Sequence, residues 1–160
     1  MLKKSYLLTL LAAFTLVFSS CDKNDDKEEN DPKPTVEAQL AQKTWELDEH
    51  EVQFDGQSPQ DILEIVQGQA GTDDIAFKLD GKGGFALLLD GDEEEEGDYE
   101  YEIDGDNIIW NYPLTYTWAE SEDDIHEYEF ELKGNTLILT VDGTDLEGND
   151  FEETITFKAK

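Results

Sequence analysis

The chain has 160 residues, 41 of them acidic, 11 lysine and none arginine, so its formal charge is −30. A surface of that sign is a poor partner for nucleic acid, whose binding needs basic side chains, and it is repelled by anionic lipid headgroups. Without arginine the bidentate fork that grips phosphate is missing. Cationic ligands, divalent cations and basic proteins remain as partners, with plain solubility as the simpler meaning of the charge.

The chain opens with Met1-Leu2-Lys3-Lys4 and an apolar run from Tyr6 to Phe18, then Ser19 and Ser20. A basic start, a short apolar middle and small residues at the end form a secretion signal. The run is shorter than the ~20 apolar residues that span a bilayer, and acid follows it. Residues 1–20 are therefore expected to be removed. Removal takes Lys3 and Lys4 and leaves 9 lysines against 41 acids, a formal −32.

Cys21, the only cysteine, has no disulfide partner in the chain. Phe18-Ser19-Ser20-Cys21 resembles a bacterial lipoprotein box, with Phe18 where leucine is usual. The resemblance implies that the Cys21 sulfur carries a diacylglycerol and that its amine is acylated after cleavage. Two or more chains hold a protein firmly at a membrane, at ~0.8 kcal/mol per buried CH₂. From Asp22 to Thr35 there is no apolar residue, so residues 21–35 read as a disordered tether. "CDKNDDKEEN" resembles the acidic surface-export signals of some Gram-negative lipoproteins. In enteric bacteria an aspartate after the cysteine instead marks inner-membrane retention, and a plain spacer has the same composition. The expected location is the cell envelope of a Gram-negative bacterium, as an outer-membrane lipoprotein facing the periplasm or the surface.

Val36 to Lys160 suits one domain, and its period is mostly two, the period of strands. Trp45 and Leu47 share a face in the first strand, Thr44 to Phe54. Val52 and Phe54 have the opposite parity, so a bulge or break is expected within Asp48–Glu51. A helix follows, with Ser58 as N-cap, Pro59 at its first position and Asp61 near its start. Its apolar stripe is Ile62, Leu63, Ile65 and Val66, ended by Gly68 or Gly71. Ile75–Leu79, Phe85–Leu89, Tyr99–Ile103, Ile108–Tyr112, His126–Lys133, Leu137–Val141 and Phe151–Lys158 then alternate, joined by Gly-containing turns. About eight sequential antiparallel strands leave two edges, which closure into a barrel removes. The expected fold is all-β, an antiparallel up-and-down barrel with one short helix, a β-sandwich being the alternative.

Four stretches carry a wider resemblance: "QKTWEL" (42–47), "FKLDGKGGF" (77–85), "YEIDGDNIIW" (101–110) and "YEFELKGNTLILTV" (128–141). In this order they resemble the lipocalin-like lipoproteins of Gram-negative bacteria. Lys43 stands where lipocalins usually have glycine. The resemblance implies a lipocalin-like barrel for residues 36–160. It also implies a basic residue of the last strand, Lys158 or Lys160, over Trp45, and non-enzymatic binding of a small apolar ligand.

An eight-stranded barrel holds either packed side chains or one small ligand. Trp45, Phe77, Phe85, Tyr101, Trp110 and Phe130 are the expected inward aromatics, forming a pocket wall in one reading and a packed core in the other. Tyr112, Tyr116 and Trp118 are candidates for a rim or for one more strand. The acidic loops 90–98, 104–107 and 142–150 contain hard oxygen ligands, yet none has the spacing of a helix-loop-helix calcium site. Their Asp-Gly steps are first of all hairpin turns. His50 and His126, both flanked by acids, are expected on exposed strand positions, too far apart in sequence for a local metal motif. No nucleophile with base and orienting group is recognisable, so no catalytic residue, metal site or cofactor is assigned. A filled-core module with an acidic interaction surface is the alternative to ligand binding.

Overall fold

The computed structural model describes residues 34–94, 98–116 and 125–160. The signal segment, Cys21, the tether as far as Lys33, part of the 90–98 loop and Trp118 lie outside the described residues. Among the described residues no helix is long and apolar enough to cross a membrane.

The elements in order are α1 (Val36–Ala41), β1 (Trp45–Phe54), β2 (Gln60–Asp61), α2 (Leu63–Ala70), β3 (Ile75–Leu79), β4 (Phe85–Leu89), β5 (Asp92–Glu93), β6 (Tyr101–Asp104), β7 (Asn107–Trp110), β8 (His126–Lys133), β9 (Thr136–Thr144) and β10 (Asp150–Ala159). The strands form one antiparallel sheet in the order β5-β4-β3-β1-β10-β9-β8-β7-β6, with β2 paired to β1. First and last strands are thus neighbours, and the break falls in mid-sequence, between β5 and β6. The sheet curls until the start of β4 and the start of β6 meet at one bridge, Gly84 to Glu100. There the Phe85 amide donates to the Tyr99 carbonyl at 3.1 Å and the Tyr101 amide to the Gly83 carbonyl at 2.7 Å. This is the expected all-β, barrel-like architecture, with two very short strands, β2 and β5, added to those read from the sequence.

The expected bulge is present. The β1–β10 register slips between Leu47, opposite Phe157, and Glu49, opposite Thr156. One extra residue, Asp48, turns His50 and Val52 inward, where both are buried. Alternation that reads as two faces in sequence becomes one face in the fold.

The start of α2 differs from expectation. Gln60 and Asp61 extend along β1 instead of opening α2, and Asp61 caps from outside by accepting the Leu63 amide at 2.9 Å. Backbone pairing to β1 prevails over the Ser-Pro start signal. Val66 is buried and Ile65 is 60% exposed, so the apolar stripe is narrower than expected. Gly71, at φ +75°, ends the helix in the left-handed region that favours glycine. Helix α1 has no counterpart in the sequence reading. It has six residues and one buried apolar side chain, Leu40, so no period can be seen in it. Thr35 caps it by accepting the Ala38 amide.

Helix α1 fixes the end of the barrel at which β1 begins. The Trp45 indole donates to the Leu40 carbonyl at 3.0 Å, and the Tyr101 hydroxyl donates to Glu37 at 3.1 Å. The cation over Trp45 is Lys43, 5.2 Å from the ring centre, and its ammonium also donates to the Gly134 carbonyl and Asn135. This corrects the expectation of Lys158 or Lys160. Lys158 of β10 pairs with the bulged Asp48, and Lys160, just past β10, pairs with Asp74 and Glu46, so acids near the start of β1 and before β3 engage both. Trp45 is wholly buried and joins helix, first strand and core. Trp45→Ala is therefore expected to cost ~3–5 kcal/mol. Urea unfolding checks this, and an unchanged midpoint would contradict it.

Candidate functional site

The six expected interior aromatics divide five to one. Trp45, Phe77, Phe85, Tyr101 and Trp110 are buried in one apolar cluster, and Phe130 is half-buried against it. Trp45 and Phe77 are cross-strand partners. Phe77 sits 4.9 Å from Phe157, 5.3 Å from Trp110 and 6.2 Å from both Phe85 and Tyr112, ring centre to ring centre. Tyr112 stacks on Trp110 at 4.7 Å. Edge-to-face and offset contacts at these distances are those of packed aromatic interiors. These rings pack on one another within the apolar cluster. An open groove of about 1020 Å³ lies along the seam. Lys78, Asp80, Lys82, Glu93, Tyr99 and Glu100 are among its lining residues.

The second aromatic group does not act as one rim. Tyr112 continues the inward parity of β7 into the core. Tyr116 lies edge-on to Phe54 at 6.1 Å and to Phe151 at 5.0 Å, over the end where β1 finishes and β10 begins.

Beneath Tyr116 lies a polar cluster that no local motif announces. Glu153 of β10 is 0% exposed. Its Oε1 is 2.6 Å from His50 Nε2 and accepts the Tyr116 amide at 2.6 Å, while Oε2 accepts the Tyr128 hydroxyl at 2.6 Å. His50 is also 0% exposed, which corrects the exposed position expected for it. The bulge at Asp48 is the cause. One signal in the sequence points to Glu153: it occupies the inward parity shared by Phe151, Ile155 and Phe157. His126 starts β8, half-buried, with β9 and β10 between its strand and that of His50.

Chemistry follows from the donor count. The Tyr116 amide and the Tyr128 hydroxyl donate to Glu153, one to each oxygen, and the direction of the His50 Nε2 contact follows the imidazole tautomer. His50 Nδ1, buried, has no hydrogen-bond partner among the described residues. The Trp110 indole nitrogen and the Tyr112 hydroxyl are buried and unpartnered in the same sense. Nothing in this arrangement is a nucleophile beside a base. Among the described residues no group of three or more His, Cys, Asp or Glu is placed to hold a metal ion.

The acidic loops use their carboxylates internally. Asp145 accepts from the Asn149 side chain and from the amides of Asn149 and Glu147. These bonds, the Asn149 side chain first, hold its carboxyl below the usual range. Asp80 does the same in the β3–β4 turn. The amides of Lys82 and Gly84 bond to it and lower it. These are turn-forming aspartates.

No family model and no curated protein matches the chain.

Two tyrosines report on the packing. Burial, with the bond to Glu37 adding to it, pushes Tyr101 up from 10.0 to about 12, and full burial pushes Tyr112 up as well. An unfolded tyrosine ionises at about 10, so the unfolded state loses these protons first. Stability is therefore expected to be full below pH 10.0 and to fall as pH rises from there towards about 12. Denaturant midpoints across that range, followed with the ultraviolet phenolate signal, check it. Ordinary ionisation of every tyrosine at about 10 would contradict the packing.

Proposed function

We propose that this chain is an exported lipoprotein, anchored at Cys21 through the acidic tether, whose barrel-like domain is a non-enzymatic interaction module. Its core is filled and its outward face is acidic. The observation that carries this reading is the ring-on-ring packing of Phe77, Phe85, Trp110, Tyr112 and Phe157, where a ligand would have to sit. What remains for recognition is the exterior. On the outer face of β8, Glu127, Glu129 and Glu131 are exposed in series. Across β9 and β10 the row from Glu129 runs through Thr140 and Thr154 to Glu51 on β1. Lysines on this side are engaged, Lys133 with Glu131 and Lys158 with Asp48. Such a face attracts basic protein segments, or surfaces bridged by divalent cations.

The lipocalin-like resemblance supports the envelope setting, and small-ligand binding in the interior is the competing reading. Two experiments separate the parts. Cys21→Ser is expected to move the protein from the membrane fraction to the soluble fraction. A variant that still pellets with membranes would remove the anchor. A lysine-rich peptide is expected to bind the full chain at low salt and to be released as the Debye length shrinks from ~30 to ~8 Å. Joint replacement of Glu127, Glu129 and Glu131 by Gln should weaken it several-fold. Binding that ignores both salt and these three residues would overturn the surface reading.

A further inference from the structure

A buried carboxylate tied to a loop amide is a costly way to hold a loop, since apolar contact does it without a charge to desolvate. The loop here runs from Tyr112 to Tyr116, and its two ends are placed differently. Tyr112 is in the core, stacked on Trp110. Leu114 packs against the core, Thr115 is buried, and Tyr116 lies across Phe54 and Phe151. The described segment thus crosses the end of the barrel as a strap, and at Tyr116 it is bonded to Glu153.

We propose that Glu153 is the latch of this strap, and that protonation of its carboxylate releases Leu114 to Tyr116 from the barrel end while the sheet stays folded.

Among the described residues, these groups face the latch. From β1 come His50 and the apolar Val52, from β9 Val141, from β8 the Tyr128 hydroxyl, and from the strap the Tyr116 amide. His126, two residues before Tyr128, is the other titratable side chain on that face of β8. A proton on Glu153 takes one acceptor position and removes the charge that strengthens all three bonds. The latch is therefore made when the carboxylate is ionised and is lost on acidification. Acidification opens the latch once Glu153 is protonated. Opening uncovers Phe54 and Phe151, so an apolar patch appears at the barrel end only in acid. The latch works whether or not the acidic outer face binds a partner.

Amide hydrogen exchange on the full chain tests the latch, with the Tyr116 amide compared with that of Leu139 in the core. As pH is lowered, protection at Tyr116 is expected to fall about tenfold or more while Leu139 keeps its own, the signature of local opening. Glu153→Gln should show the low Tyr116 protection already at neutral pH. Loss of protection at both amides together, or a Glu153→Gln chain that protects Tyr116 as the wild type does, would overturn the proposal. If that variant fails to fold, the wild-type pH series decides alone.

Discussion

Between Leu47 and Glu49 the pairing of the first strand with the last slips by one residue, and the interior of the protein depends on that slip. Before it, Trp45 and Leu47 point into the core. After it, His50 and Val52 do so as well. A regular strand would carry His50 to the outside and leave Glu153 as a buried carboxylate with one donor fewer. The bulge therefore brings His50 beside Glu153, within a cluster otherwise built of apolar side chains. Burial of Glu153 is tolerated because His50, Tyr128 and the Tyr116 amide bond to it together.

Charge sets the opposite limit, at the seam. The first and last strands pair over their whole length, from Trp45 with Ala159 to Phe54 with Phe151. Across the mid-sequence break, the bridge among the described residues is that of Gly84 with Glu100. Five consecutive acids, Asp92 to Glu96, lie in the 90–98 loop. Like charges on facing strands destabilise pairing, and short charged edges also resist pairing with other chains. A half-closed barrel is the expected compromise for a chain so acidic.

Much of the fold is legible in the sequence, for physical reasons that differ by element. The long strands show themselves because one face of each is buried, so Phe77, Phe85, Tyr128, Leu139 and Phe157 fall on period two. The bulge shows as a parity change between Leu47 and Val52. Helix α1 does not show, because one buried residue makes no period. The start of α2 is misleading because Ser58 and Pro59 are a local signal, and the pairing of Gln60 and Asp61 with β1 is not local. The lipocalin resemblance points to the last strand for the cation over Trp45, while Lys43 lies two residues away. The interior aromatics can be named, but alternation cannot tell a ring that lines a void from a ring that fills it. The polar cluster joins residues up to 103 apart in sequence. Only the inward parity of Glu153 hints at it.

The central claim is that the barrel interior is occupied by its own side chains. Titration of the full chain at neutral pH with N-phenyl-1-naphthylamine, a neutral apolar fluorophore, tests it most directly, because the probe's signal rises only in a dry site. The account predicts no saturable rise and no energy transfer from the buried tryptophans. A saturable one-to-one rise, with transfer from Trp110, would show an interior that admits a guest and would contradict it.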